Sequence, residues 1–374
     1  MALNVLIVPD KFKGTLSAQE AADAIARGWR TARPNDSLDL LPLTDGGDGF
    51  GEVISELLQG EPRTAKSVDA AHRPAEATWW WHRKTKTAII ESARVIGLAQ
   101  LPPHKYHPFE LDTEGLGVLF HAAATEGAEH CLVGIGGSAT NDGGFGMARA
   151  LGWQFFGTHD KKIVRWTELR TLAQVRPPDG PRLFKEMVVA VDVQNPLLGP
   201  RGCTRIYGPQ KGLRPEDFEF AERCLEQLAQ IISKELHLNY ANEIGTGAAG
   251  GLGYGLRCFA GARLEPGFAL FSRYGKLVER LKEAHLVITG EGTIDRSTLM
   301  GKGVGEVARL CQEQKVPCVG LAGVLSDQGN ADTLFTATHA LTPHLTTLEE
   351  AKANGAVWLE RLAAKVAAGW EVTL

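Results

Sequence analysis

The chain lacks an excess of positive charge, a long apolar run and an appreciable share of cysteine. Its 374 residues carry 40 Lys and Arg against 44 Asp and Glu, a formal charge of −4. A protein that grips a nucleic-acid backbone or lies on an anionic membrane needs the opposite balance. No apolar stretch reaches the ~18 residues of a spanning helix. Residues 1–9 are a short apolar run without a basic leader or a cleavage-site pattern, and are expected to form a first strand, not a signal peptide. Of the six cysteines, none forms a CxxC or stands at zinc spacing from a histidine. Cys131 and Cys318 adjoin apolar runs, which predicts buried thiols and a reducing, cytoplasmic compartment.

Several catalytic signatures are also missing. There is no GxxxxGK[ST], so a P-loop nucleotide site is excluded. Neither GxSxG nor HExxH occurs, which disfavours hydrolases of those kinds. None of the eleven histidines falls in the polar loops described below.

Glycine, by contrast, is abundant: 43 residues, against a typical share of about 7%. The glycines cluster at 46–49, 134–144, 245–255, 290–292 and 301–305. Such clusters mark tight loops where backbone comes close to something. Anions held by backbone N–H groups are one such partner.

At about 150 residues per domain, the length suggests two domains, or one large one. Both ends alternate strand and helix. Strands are expected at 4–8, 38–43, 285–289, 317–321 and 334–340. Helices are expected at 17–30, opened by the capping box Ser17-Ala18-Gln19-Glu20, at 51–58, at 304–314, and from Thr347 to about residue 367 with an interruption at Asn354-Gly355. Short buried strands separated by helices predict a parallel sheet covered on both faces. The expected fold is therefore α/β: a flavodoxin-like or Rossmann-like parallel-sheet domain built from both ends, residues 1–62 and 285–374, with an inserted mixed α/β domain at 63–284. In the insert, strands are expected at 63–69, 75–83, 87–91, 131–135 and 187–193, and helices at 115–125, 145–151 and 215–236. Trp79-Trp80-Trp81 must divide between the two faces of its strand and is read as core.

Open α/β sheets bind ligands at turns that follow parallel strands. Five polar turns qualify: Pro9-Asp10-Lys11-Phe12-Lys13-Gly14, Thr44-Asp45-Gly46-Gly47-Asp48-Gly49, the loop 136–144, Asp192-Val193-Gln194-Asn195-Pro196, and Gly290-Glu291-Gly292-Thr293-Ile294-Asp295. All carry a carboxylate. The loop 136–144 puts Gly136, Gly137, Ser138, Asn141 and Asp142 between a strand and a helix, which suits a phosphate or a carboxylate. Gly245-Thr246-Gly247-Ala248-Ala249-Gly250 matches GxGxxG, but no strand precedes it. It is expected to pack closely against a ligand or the other domain, not to bind a dinucleotide. Lys11, Lys13, Lys211 and Lys302 each stand in a glycine or strand-end loop. Lys13 and Lys211 rank first because Gly14 and Gly212 leave room beside them.

This set resembles the glycerate kinase family, whose bacterial members phosphorylate D-glycerate. The likeness spans essentially the whole chain. It is carried by the turn after residue 8, Asp45-Gly46-Gly47-Asp48-Gly49, Glu91-Ser92-Ala93, the segment 134–144, Asp192-Val193-Gln194-Asn195-Pro196-Leu197, Gly208-Pro209-Gln210-Lys211-Gly212, Gly247-Ala248-Ala249-Gly250-Gly251 and Gly290-Glu291-Gly292. It implies a flavodoxin-like domain plus a second α/β domain, with ATP and glycerate as ligands. The chain departs from the family at Thr44, Asp48, Thr293 and Gln194. Thr293 stands where an Arg that could grip a carboxylate or phosphate is common.

Phosphoryl transfer needs positioning, charge neutralisation and a group that takes the hydroxyl proton. ATP would enter with Mg²⁺, for which Asp45, Asp295 and Glu291 are the candidate ligands. Lys13 and Lys211 would neutralise phosphate charge or hold the glycerate carboxylate, with Lys11 and Lys302 near. Gly136, Gly137, Ser138, Asn141, Asp142 and Asn195 would line the phosphate or substrate site. Asp192 is the candidate base, against a plain turn-forming role beside Asn195-Pro196. A kinase for another small hydroxy acid, or a non-catalytic hydroxy-acid sensor, is the competing reading. The partners expected are ATP and the hydroxy acid, without nucleic acid or membrane, and a homodimer is left open.

Overall fold

The computed structural model describes residues 2–299, 303–326 and 334–370. The chain forms two compact units, residues 1–45 with 268–374, and residues 46–267. Thirteen strands are described. They are β1 (Asn4–Pro9), β2 (Ser37–Leu40), β3 (Glu61–Val68), β4 (Pro74–His82), β5 (Thr87–Glu91), β6 (His130–Gly134), β7 (Gln154–Gly157), β8 (Leu172–Arg176), β9 (Glu186–Val191), β10 (Arg263–Pro266), β11 (Leu286–Ile294), β12 (Cys318–Leu325) and β13 (Ala337–Thr342).

The unit made from both ends has a five-stranded sheet, order β13-β12-β11-β1-β2, with every pairing parallel. Renumbered within the unit, this is 2-1-3-4-5, the flavodoxin-like order. β1 and β11 are apolar and buried because helices cover the sheet. One covering helix, Ala18–Ala32, starts at the predicted capping box, Ser17 with Glu20. It buries Ile25 and Trp29 in one core with Leu359, Leu362 and Val366 of the helix Gly355–Gly369. The two helices touch at Gly28, where a Cβ would lie 2.0 Å from the Glu360 carbonyl oxygen. Only glycine permits that approach.

One expectation changes here. The segment Gly290-Glu291-Gly292 is strand, not turn. β11 runs on to Ile294 because β12 continues beside it, pairing Glu291 with Ala322 and Thr293 with Val324. The interruption expected at Asn354-Gly355 is present, dividing the last helix into Leu348–Ala353 and Gly355–Gly369.

The inserted unit has a mixed six-stranded sheet, order β10-β9-β6-β5-β4-β3. β5, β6, β9 and β10 are parallel. β3 and β4 close it as an antiparallel pair. The three indoles are buried as core. Trp79 and Trp81 meet edge to face at 6.3 Å, while Trp80 lies where a Cβ on Gly51 would be. The sequence reading had no counterpart for the hairpin β7–β8, for β10, or for the helices Cys203–Lys211 and Ala248–Gly255. Short strands and a helix interrupted by Pro209 carry too little periodicity to be read. All six cysteines are free and buried. No described helix is long and apolar enough to cross a membrane.

Candidate active site

In the first unit the chemistry collects at the carboxyl edge of the sheet. Asp10, Lys11 and Lys13 follow β1. The Asp10 amide donates to the Gly290 carbonyl at 2.8 Å, so this turn rides against β11 at the position of Glu291. The backbone of Phe12 and Lys13 lies over Gly292, where a Cβ would come within 3.4 Å of the Lys13 nitrogen. On the other side of β1, Leu43 donates to the Pro9 carbonyl at 2.9 Å, which carries Asp45 to the same edge. The turn after β1 and the end of β11 flank the point where strand order reverses, which is where such sheets bind ligands.

Thr298 Oγ1 donates to Glu291 Oε1 at 2.7 Å and accepts from the Asp295 amide at 3.1 Å. Asp10, Asp45, Glu291 and Asp295 are all hard oxygen donors on one edge. Among the described residues no three of them form a preformed cage. Mg²⁺ keeps several waters and needs only one or two carboxylates, so this donor set fits it. Lys302 lies outside the described residues.

The second unit has its own polar edge. Gly136 and Gly137 stack under the loop 46–49. A Cβ on Gly136 would lie 2.5 Å from the Gly47 Cα, and one on Gly137 would lie 2.4 Å from Asp48 Oδ1. Ser138 Oγ accepts from the Thr140 amide at 3.1 Å and donates to the Ala249 carbonyl at 3.3 Å. Asn141 Nδ2 donates to Thr204 Oγ1 at 3.1 Å, while its Oδ1 is buried with no hydrogen-bond partner. Asp192 is the first residue past buried β9 and is exposed. Asn195 is committed at both ends. Its Nδ2 donates to the Arg201 carbonyl at 2.7 Å, and its Oδ1 accepts from the Tyr207 hydroxyl at 2.5 Å.

Two predicted ligand contacts take another form. Asp142 is fully buried. Its carboxylate accepts from the Thr113 amide and hydroxyl and from the amides of Gly144 and Gly146, at 2.7–3.1 Å. Burial, then the charge of Asp112, pushes it up to about 6 against those bonds. With every acceptor position used inside the fold, Asp142 holds two helix starts together and offers nothing to a phosphate. Asn195, its side chain spent on Arg201 and Tyr207, likewise acts on its own loop.

Lys211 ends the helix Cys203–Lys211 and is buried. Its Nζ donates to the Thr140 carbonyl at 2.6 Å, and no carboxylate pairs with it among the described residues. Burial pulls it down to about 8, with the Cys203 and Asp142 charges opposing. It therefore sits beneath the loop 138–141 and not on its surface. A lysine depressed in the fold binds fewer protons than in the unfolded chain between about pH 8 and 10.5. Stability contributed by this site thus rises with pH across that window. Lys211→Met removes the penalty of burying the charge. The melting temperature of the variant relative to the parent is expected to be higher at pH 7 than at pH 9.5. A difference that does not narrow with pH would refute this.

Glu91, at the end of β5, was quoted in the sequence without a role. It is nearly fully buried, and its oxygens accept from the Gly49 and Gly51 amides at 3.1 Å each. Those amides begin the helix Phe50–Leu58, whose N-cap Gly49 has no side chain to cap it. Burial raises the Glu91 pKa against these bonds. No sequence signal could reveal a cap supplied from a strand forty residues away. The loop with the GxGxxG match packs against segments of its own unit, where a ligand or the other domain is the expectation. A Cβ on Gly250, at φ 69°, would lie 1.9 Å from the Thr140 carbonyl oxygen, and one on Gly247 2.1 Å from that of Pro196. The glycines serve backbone approach, not a dinucleotide.

Among the described residues one further group stands at metal-ligand spacing, His72, Asp112 and Glu114. His72 Nε2 already bonds Asp112 Oδ2 at 3.0 Å, and the Arg149 guanidinium is 3.7 Å from Glu114.

A model of the glycerate kinase family matches residues 5–371. The glycerate kinase of Halalkalibacterium halodurans is 38% identical over 368 residues, 97% of each chain. The glycerate 2-kinase of Escherichia coli is 37% identical over 328 residues, covering 87% of this chain and 86% of that one. The crystal structure of a protein described as glycerate kinase 2 from Salmonella typhimurium LT2 superposes with a TM-score of 0.84 at 35% identity, over 98% of both chains.

Proposed function

We propose, from the premise that this chain belongs to the glycerate kinase family and is a kinase, that it transfers the γ-phosphoryl group of ATP to a hydroxyl of D-glycerate with Mg²⁺. The observation that carries this is the switch point of the first sheet. There the turn that carries Asp10, Lys11 and Lys13 lies against Gly290 and Gly292, the residues on either side of Glu291. Mg²⁺ held by Asp45, Asp295 and Glu291 would neutralise charge on the phosphates. Lys13 and Lys11 add positive charge at the same edge. In the second unit Gly136, Gly137 and Ser138 offer a backbone cradle. The orphaned Asn141 Oδ1 is suited to accept a hydrogen bond from a substrate hydroxyl. Lys211 lends its charge through the Thr140 carbonyl it holds. Asp192 orients the attacking hydroxyl and takes its proton late in a loose transition state. The buried free thiols agree with a reducing, cytoplasmic setting.

Purified protein is expected to release ADP only when D-glycerate or a near relative is present, and only with a divalent cation. A panel of small hydroxy acids, with and without EDTA, tests this. Turnover undiminished by EDTA, or none with any member, would sink the reading. Thr293 and Gln194 favour including other hydroxy acids, since each departs from the family pattern near the proposed site, Thr293 at the end of β11 and Gln194 on the loop after β9. A preferred acid other than glycerate in that panel would move the substrate assignment and leave the chemistry.

A further inference from the structure

The helix Cys203–Lys211 presents Thr204, Tyr207 and Lys211 at spacings of three and four. Residues so spaced lie along one face. Each is engaged with a loop that leaves the carboxyl edge of the second sheet. Thr204 accepts from Asn141 and Lys211 donates to the Thr140 carbonyl, both on the loop after β6. Tyr207 donates to Asn195, on the loop after β9. The same Asn195 pins that loop again through the Arg201 carbonyl, and its own carbonyl accepts from the Gly247 amide at 2.9 Å. Asp192 stands at the start of this loop, three residues before Asn195.

We infer that Tyr207 is a positioning residue for Asp192, and that this helix face holds the two loops in one fixed register. The inference rests on the reading of Asp192 as the base. Nothing in the family likeness assigned Tyr207 or Thr204 a role. Two further observations support it. Burial, followed by the negative charge of Asp192, raises the pKa of the Tyr207 phenol to about 12, so the ring stands within the field of that carboxylate and stays neutral, a donor. The loop after β9 has no helical or strand structure to hold it, so the Tyr207–Asn195 bond, with those to Arg201 and Gly247, supplies the restraint. A base displaced by even an ångström loses much of its effect.

The test is a double-mutant cycle on kcat. Tyr207→Phe removes the hydroxyl and keeps the ring. It is expected to lower kcat about tenfold to hundredfold, with KM for ATP and the melting temperature close to the parent's. Made in the Asp192→Asn background, the same change should alter kcat less than about twofold, because a positioning group has nothing left to position. Asn195→Ser removes the acceptor of the same bond and should reproduce the loss, so the inference does not hang on one variant. Normal turnover by Tyr207→Phe and Asn195→Ser overturns the inference. Equal losses by Tyr207→Phe in both backgrounds overturn it too, while leaving the base assignment standing. Normal turnover by Asp192→Asn alone overturns the base assignment and this inference with it.

Discussion

Asp192→Asn is expected to lower kcat by about 10²–10⁴-fold, the usual loss of a general base, with little change in MgATP affinity. The substitution keeps the shape of the side chain but cannot accept a proton. The buried run Met187 to Val191 delivers Asp192 to the carboxyl end of β9, the edge at which this kind of sheet receives ligands. A magnesium ligand would behave differently. MgATP affinity would then fall together with kcat, and excess magnesium would partly restore both. Measuring kcat and MgATP binding across a magnesium titration separates the two roles. Near-normal kcat would leave Asp192 only its turn-forming place before Asn195-Pro196.

Asp142→Ala should cost several kcal/mol of stability, since it removes an acceptor shared by four donors. Four donors from Thr113, Gly144 and Gly146 would lose their acceptor inside a fully buried position. An unsatisfied buried group costs about 1–3 kcal/mol. Allowing for partial relaxation and entry of water, a loss of roughly 3–5 kcal/mol follows. That corresponds to a fall in melting temperature on the order of 10 °C. The loss should appear in thermal melts without any ligand, which separates it from an effect on binding. A variant that melts within about 2 °C of the parent would show that the carboxylate is not the anchor described.

Much of this architecture was legible because strong local signals agreed with it. The apolar runs at β1, β5, β6 and β9 were placed within a residue or two at most ends. The capping box at Ser17 and the Pro215 start of the helix Pro215–Leu236 were read where they stand. The polar turns after β1, β6 and β9 do lie at sheet edges. What escaped depends on partners distant in sequence. Glu91 caps a helix it does not belong to, and Tyr207 reaches a loop twelve residues away. Asp142 looks from the sequence like a loop carboxylate open to ligands. Its burial is created by Thr113, which no pattern around residue 142 records. Lys211 was ranked for the room that Gly212 leaves beside it. Gly212, at φ 106°, ends the helix instead, and the ammonium turns inward to Thr140. Gly290-Glu291-Gly292 reads as a turn until β12 is known to run alongside.

The pairing of β1 with β11 sets Val5 beside Leu286, across the whole of residues 46–267. During synthesis the ribosome therefore releases β1 and β2 long before the strand that stands between them and β12 exists. Those first strands wait without a central neighbour, while the insert, whose own strands are complete by residue 266, can collapse on its own contacts. Closing the outer sheet is a non-local step, slow because the loop entropy is lost before its contacts form. The order of assembly is thus written into the topology: the insert first, the interrupted sheet last, once β13 has emerged. The Asp10–Lys13 turn gains its Glu291 neighbour only at that final stage, so a nascent chain cannot acquire the proposed nucleotide edge early.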